Sequence, residues 1–412
     1  VKYPITPEYI QALPDKLATL YIDLESFVIQ DICSRMKYSG TMTETAIELI
    51  KRLKRIGYDQ KAIEKYLKQT MKLSDRQFDA MWTDAINRNQ RYFDAVVTKD
   101  ALLDATYDQS VFDAEIDTIY RQTKGALQNI TQSMGFVTHQ NGQPVFSSIT
   151  DTYQKILDDA AMRVQSGAES YNVAIRGATK QLTDSGLQTV SYESGKIDRV
   201  DVAARRAVMT GITQLSSQYS EQECDIMETP YREVSAHKGA RDISKPHPWS
   251  NHKAWQGKVY SIRSNDKYPS IYQVCGLGQV DGLCGANCRH MYYGFFDGIS
   301  ERTYTDQELA NIDGPPINYQ GRTYNAYQAT QKQRQLENAM RKTKRELVCL
   351  KALGQTEAYN VKAARLIRLK TEYSNFSRAA GLRMQSERAN IAEFGYKEGR
   401  EALAAYNKML SN

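Results

Sequence analysis

Three stretches lying close together set the character of this chain: Tyr231–Asp242 (YREVSAHKGARD), Pro246–Ile262 (PHPWSNHKAWQGKVYSI) and Cys275–Phe296 (CGLGQVDGLCGANCRHMYYGFF). Four of the five histidines (His237, His247, His252, His290), three of the six cysteines (Cys275, Cys284, Cys288) and two of the three tryptophans (Trp249, Trp255) fall within residues 231–296. The pieces VSA (Val234–Ala236), KVYSI (Lys258–Ile262) and MYYGFF (Met291–Phe296) lean towards strand, with Gly-, Pro- and Asn-rich turns between them. They predict a small α+β module between long polar helical arms.

Working outward, the first 225 or so residues read as helix after helix. Over residues 7–37, Ile10, Leu13, Leu17, Leu24, Val28 and Ile32 recur at three- and four-residue steps, the period of one amphipathic helix. Gly40 should end it, with Thr41 or Thr43 capping a helix that carries Ile47, Ile50 and Leu53. Ser74-Asp75 reads as the opening of another helix with Phe78, Met81, Trp82 and Ile86 on one face. Helices are also expected near 110–135, over 149–187 with a turn at Ser166-Gly167, and over 198–221. His139–Phe146, with its Asn-Gly and Pro, reads as a loop or small hairpin. Beyond Tyr324 the chain turns helical again, with an antiparallel pair (324–352 and 356–377) closed by Leu353-Gly354-Gln355 and a last helix at 384–410. The expected fold class is therefore mainly α: a helical N-terminal region (1–228), the central α+β module (229–322) and a C-terminal basic helical tail (323–412).

Composition narrows the function classes. A chain of 412 residues has room for two or three domains. Its mean hydropathy is −0.59, and no run approaches the ~18 apolar residues of a membrane span. The opening VKYPITPEYIQALPDK lacks the apolar region of a signal peptide, and irregularly spaced cysteines fit reduced thiols in a product of the cytoplasm. Net charge is +6, yet from Gly321 onward 18 Lys and Arg stand against 8 Glu and no Asp, so the rest is mildly acidic. Lys342, Lys344, Arg345, Lys362, Arg365 and Arg368 cluster on the tail's helical pair, interleaved with Leu347, Leu366 and Leu369. They are the candidate contacts to a polyanion, or to an acidic protein surface.

The Cys/His cluster admits several chemistries. Cys284, Cys288 and His290, with Cys275 or His252 as a fourth ligand, could bind zinc, although there is no paired C-x2-C. A metal-dependent nuclease would use a base such as His252 with Asp242, Asp266 or Asp281, none at a spacing that identifies a ββα-metal fold. A Cys–His acyl-transfer pair lacks a marked thiolate-stabilising neighbourhood. The expectation is a scaffold: small buried thiols, histidines satisfying backbone groups, Trp255 and Tyr260 as core bulk, and no catalytic residue, metal or other cofactor.

The motifs also carry a resemblance. VSAHKGARD (Val234–Asp242), HKAWQGKVY (His252–Tyr260) and GLCGANCRH (Gly282–His290) resemble the head-morphogenesis module of tailed bacteriophages, specifically the phage minor capsid proteins of type 2. TPEYI (Thr6–Ile10), SYESGK (Ser191–Lys196) and AARRAVMTG (Ala203–Gly211) extend it over nearly the whole chain. Its signature positions here are His237, Gly239, Arg241, His252, Trp255, Gly257, Gly282, Asn287, Cys288, Arg289 and His290. The resemblance implies a non-enzymatic virion component at the portal vertex or head interior, acting in head assembly and genome packaging or delivery. Portal protein and major capsid or scaffolding protein are its expected partners, with packaged double-stranded DNA bound without sequence preference, and no membrane. The competing class is an effector or nuclease carried in the head.

Overall fold

The computed structural model describes residues 3–38, 61–97, 108–140, 143–166, 168–190, 195–263 and 266–411. The helix expected around Ile47–Leu53, with its caps, lies outside them, as does the Asn141-Gly142 pair.

In chain order, α1 (Pro7–Ala12), α2 (Asp15–Tyr38), α3 (Lys61–Val96) and α4 (Gln109–Gln132) lead into β1 (Met134–Gln140) and β2 (Gln143–Ser148). Next come α5 (Ile149–Gln165), α6 (Tyr171–Ser185), β3 (Gln188–Val190), β4 (Ile197–Arg199) and α7 (Val200–Ile226). The central stretch holds β5 (Tyr231–Val234), α8 (His252–Trp255), β6 (Val259–Ser261), α9 (Ile271–Cys275), β7 (Tyr292–Phe295), α10 (Asp306–Asn311), β8 (Ile317–Tyr319) and β9 (Arg322–Tyr324). The chain finishes with α11 (Ala326–Ala352), α12 (Thr356–Ala379) and α13 (Tyr396–Leu410). The fold is mainly α, with short strands concentrated in two places.

Several boundaries depart from the sequence reading for local reasons. The helix expected over 7–37 breaks at Leu13-Pro14, because a proline has no N–H to return to Ile10. Ser74 opens no helix: it sits inside α3, buried, with its hydroxyl 3.1 Å from that of Tyr21. The small hairpin expected at His139–Phe146 is there as β1–β2, but the segment before α7 holds more strand than that. The β1–β2 hairpin begins at Met134, and β3 and β4 extend it to an antiparallel sheet of order β2-β1-β3-β4. The helix expected over 384–410 starts only at Tyr396, where the Glu398 carboxylate accepts the Gly395 N–H at 3.0 Å.

The chain gathers into two compact units, each assembled from three separated stretches. The first comprises residues 1–17, 75–127 and 204–331. Its sheet has order β6-β5-β7, all antiparallel, with Tyr231 opposite both Ser261 and Phe295. That sheet is held to its neighbours by polar anchors: Ser220 donates to the Tyr292 carbonyl at 2.8 Å and Thr229 to that of Phe295 at 2.6 Å. The fully buried Arg232 reaches Glu221 at 2.6 Å, and the Tyr3 ring stacks on Tyr293 at 3.9 Å. Buried Phe78 and Trp82 meet Tyr120 on the face of α4, with ring centroids 5.5 to 5.7 Å apart.

The second unit comprises residues 18–74, 128–203 and 332–412. In it α11 and α12 run antiparallel, as Gln333 to Ser377 (3.0 Å), Tyr373 to Glu337 (3.1 Å) and Lys362 to Glu346 (2.6 Å) register. Val28, Ile29, Ile32, Phe136, Leu347 and Phe376 are sealed from solvent. So is Glu25, which accepts from Arg345 at 2.6 Å, from Arg199 at 2.9 Å and from the Leu187 N–H at 3.1 Å. Burying a carboxylate is tolerable only with such a full set of partners.

Candidate functional site

The rare side chains of the central stretch converge inside the first unit. His252 opens α8, Trp255 closes it, and the segment 288–290 leads into β7, so that α8 and the strand approach bring together residues 36 positions apart in sequence. His252, Cys288 and His290 are buried, and their ligand-capable atoms all lie within 4.8 Å of one another. Around them His237 stacks on His290 with ring centroids 4.4 Å apart, and Trp255 meets His290 edge-on at 4.9 Å.

Hydrogen bonds fix the protonation of each ring. Gln256 Oε1 accepts the His237 backbone N–H at 3.0 Å, which identifies that atom as the amide oxygen. The same oxygen lies 3.1 Å from His290 Nε2, so Nε2 bears the hydrogen and Nδ1 carries the lone pair. His290 Nδ1 is 3.6 Å from Cys288 Sγ. His252 Nε2 lies 2.9 Å from the Asp281 carbonyl, which can only accept, leaving its Nδ1 with the lone pair. His237 Nδ1 donates to the Lys238 carbonyl at 3.0 Å by the same logic.

The electrostatics follow from burial. Desolvation pushes His237 down to about 3, with Arg289 adding to it, and His252 down to about 4. His290 is held well below its ordinary range by burial and by the neighbouring imidazoles, so all three rings are neutral at physiological pH. Burial likewise pushes the thiols of Cys275, Cys284 and Cys288 up. None of the three is an activated thiolate.

The loop that shapes the centre is held by short backbone contacts. A Cβ on Gly282 would stand 2.0 Å from the Gly276 carbonyl oxygen, so only glycine fits there. Gly257 has φ +69, and a Cβ there would press on Leu309 at 2.3 Å. Cys284 and Asn287 both adopt φ +59, unusual for residues with a side chain. Arg241 ties the loop down through the carbonyls of Asp281 (3.1 Å) and Ala286 (3.0 Å). Arg289 donates to the Gly239 carbonyl at 3.2 Å and to Gln11, while the Gly239 N–H donates to Asp313 at 2.8 Å. The signature residues thus pin loops by hydrogen bonds.

The zinc candidates named from sequence spacing separate here. Cys288 and His290 stand with His252, whereas the Cys284 thiol lies 3.3 Å from the Ser217 hydroxyl and 3.7 Å from the His290 carbonyl. Cys275 is buried in α9 and is not a member of the close group. Of the carboxylates considered for a nuclease, Asp266 bonds Ser261 and Tyr231, and Asp242 contacts Asn251, Lys253 and Asn325. Asp281 accepts from His247 and Trp249, each at 3.0 Å, and from Ser250. Burial opposes its charge, but those three donors hold its carboxyl well below the usual range. Sequence reading passed over Gln256, whose only signal is its place between Trp255 and Gly257.

The basic tail residues also divide. Lys344 and Arg345 are buried, the first bonded to the Ala389 carbonyl at 2.6 Å and the second to Glu25. Lys342 pairs with Asp184 and Lys362 with Glu346. Arg365 and Arg368 are exposed on α12. No helix among the described residues is long and apolar enough to cross a membrane.

Comparison with known proteins accords with this picture. The family described as Phage minor capsid protein 2 matches residues 5–376, and the chain belongs to that family. It is also 25% identical, over 251 residues, to a protein named "Structural protein" of Lactococcus phage LL-H. That match covers 58% of this chain and 60% of the relative, so the similarity spans about three fifths of the relative's length. No solved structure matches.

Proposed function

We propose that this member of the phage minor capsid protein 2 family is a non-enzymatic part of the phage head at or near the portal vertex. It works there in head assembly and in packaging or delivery of the genome, against the portal protein and the major capsid or scaffolding protein. The family match over residues 5–376 carries this reading. The inward-facing centre supports the absence of turnover: its imidazoles are buried and neutral, its thiols are protonated, and its polar atoms bind one another and the backbone.

The test is protein identification in purified virions, with copy number measured relative to portal protein and position determined by electron cryo-microscopy. Presence in mature heads at a fixed ratio to portal is the expected result. Absence from virions, or a position in the tail fibres, overturns it.

Contact with packaged DNA belongs to the same proposal. Arg365 and Arg368, exposed on one helix and a turn apart, are the tail cations that supply it. Two arginines facing solvent suit sequence-independent phosphate contact.

A further inference from the structure

We propose that His252, Cys288 and His290 together hold a zinc ion, a site that differs from both the cofactor-free cluster and the cysteine-rich ligand set read from the sequence. Two imidazoles and one thiolate suit the borderline softness of Zn²⁺ and supply three positions of its tetrahedral shell. On binding, the Cys288 thiol proton leaves to solvent and the sulfur's electron pair goes to the metal.

Four observations carry the assignment. The three ligand-capable atoms lie within 4.8 Å of one another, and all three side chains are buried. Hydrogen bonds hold both rings in the tautomer that leaves Nδ1 unprotonated: His290 donates Nε2–H to Gln256 Oε1 at 3.1 Å, and His252 donates Nε2–H to the Asp281 carbonyl at 2.9 Å. Each therefore presents Nδ1 as a lone-pair donor, and His290 Nδ1 already faces Cys288 Sγ at 3.6 Å. Those outer acceptors are the amide and carbonyl oxygens that orient ligating histidines elsewhere. The outer partners are themselves held, Gln256 by the His237 N–H at 3.0 Å and the Asp281 carbonyl by Arg241 at 3.1 Å.

The ion would act as a staple. His252 belongs to α8, while Cys288 and His290 precede β7, so a single metal joins a helix to the loop before an edge strand. The neighbouring loop contains close backbone contacts and two non-glycine residues at positive φ, and so has reason to need one.

The experiment uses the full chain, purified without metal-affinity resin or chelator and under reducing conditions. Elemental analysis should return stoichiometric zinc, and cobalt exchanged for it should give the near-ultraviolet band of a thiolate–cobalt bond. Cys288→Ala should lose the band, whereas Cys284→Ala, in the same loop, should keep it. Gln256→Leu, which removes an outer acceptor without touching a ligand, should weaken zinc binding about 10- to 100-fold, and Gln256→Glu should restore it. Should the Cys288 variant fold poorly, zinc content and the cobalt spectrum of the unaltered protein decide the matter. Metal-free protein that shows no thiolate–cobalt band after incubation with cobalt overturns the proposal. So does a band that survives Cys288→Ala and disappears in Cys284→Ala.

Discussion

Glu25 and Arg345, both sealed from solvent, meet at 2.6 Å, and the same carboxylate also receives Arg199. Burial pulls Arg345 down to about 10 although Glu25 opposes the shift, so the pair holds a charge in place at a cost to it. Glu25→Ala would strand the Arg345 guanidinium and the Leu187 N–H, while Arg199 keeps Asp201 at 3.4 Å. The expected loss is about 3–5 kcal/mol, measured by urea denaturation.

Gln256 serves two buried donors at once. Gln256→Leu should strand both the His237 N–H and the His290 Nε2–H. Each costs roughly 1–3 kcal/mol when left unsatisfied, so a fall in denaturation midpoint is expected in metal-free protein, where zinc affinity plays no part.

Glu223 governs one part of the pH dependence. Burial pushes its carboxyl up to about 7 against the pull of Arg232, and its Oε1 has no hydrogen-bond partner among the described residues. Its folded value lies above the unfolded value of 4.5, so the folded state keeps a proton that the unfolded chain loses. That contribution to stability is full below pH 4.5 and is lost as pH rises through about 7. Glu223→Gln should therefore flatten the stability curve over that window and gain roughly 3 kcal/mol or less at pH 8 relative to the parent chain. Denaturation at pH 5 and pH 8 distinguishes this from a uniform change.

Arg365→Glu with Arg368→Glu should weaken binding of the full chain to double-stranded DNA. The slope of log affinity against log salt should become shallower by about two, because two phosphate contacts are removed. Substituting Lys362, already paired with Glu346, should leave that slope nearly unchanged. Filter binding at several ionic strengths reads both.

The helices were legible because their apolar residues repeat every three or four positions, as with Leu17, Leu24, Val28 and Ile32 of α2. The aromatic run before Phe296 likewise marked β7. The β3 and β4 strands were not legible: three residues each are too few to show a period, and the pairing of β3 with β1 and of β4 with β3 is set by tertiary contact. In the site, nearness in sequence pointed to Cys284 with Cys288. The positive φ at Cys284 and Asn287 turns the loop so that the Cys284 thiol meets Ser217, and His252 arrives from 36 residues away. Charge composition found the basic tail but could not orient it. In α11 the stretch Thr343–Leu347 is buried all round, so two cations counted there face inward.

Each compact unit draws its last stretch from late in the chain, up to residue 331 for one and residue 412 for the other. A ribosome therefore releases α2 long before the α11 residues that cover it, such as Cys349, whose thiol reaches the Ile29 carbonyl at 3.9 Å. Until then Val28, Ile29 and Ile32 lack that cover on the nascent chain, whereas the first unit, whose last stretch ends at residue 331, has all its parts earlier. The first unit is therefore expected to close before the second, which leaves the apolar face of α2 open to aggregation for the interval.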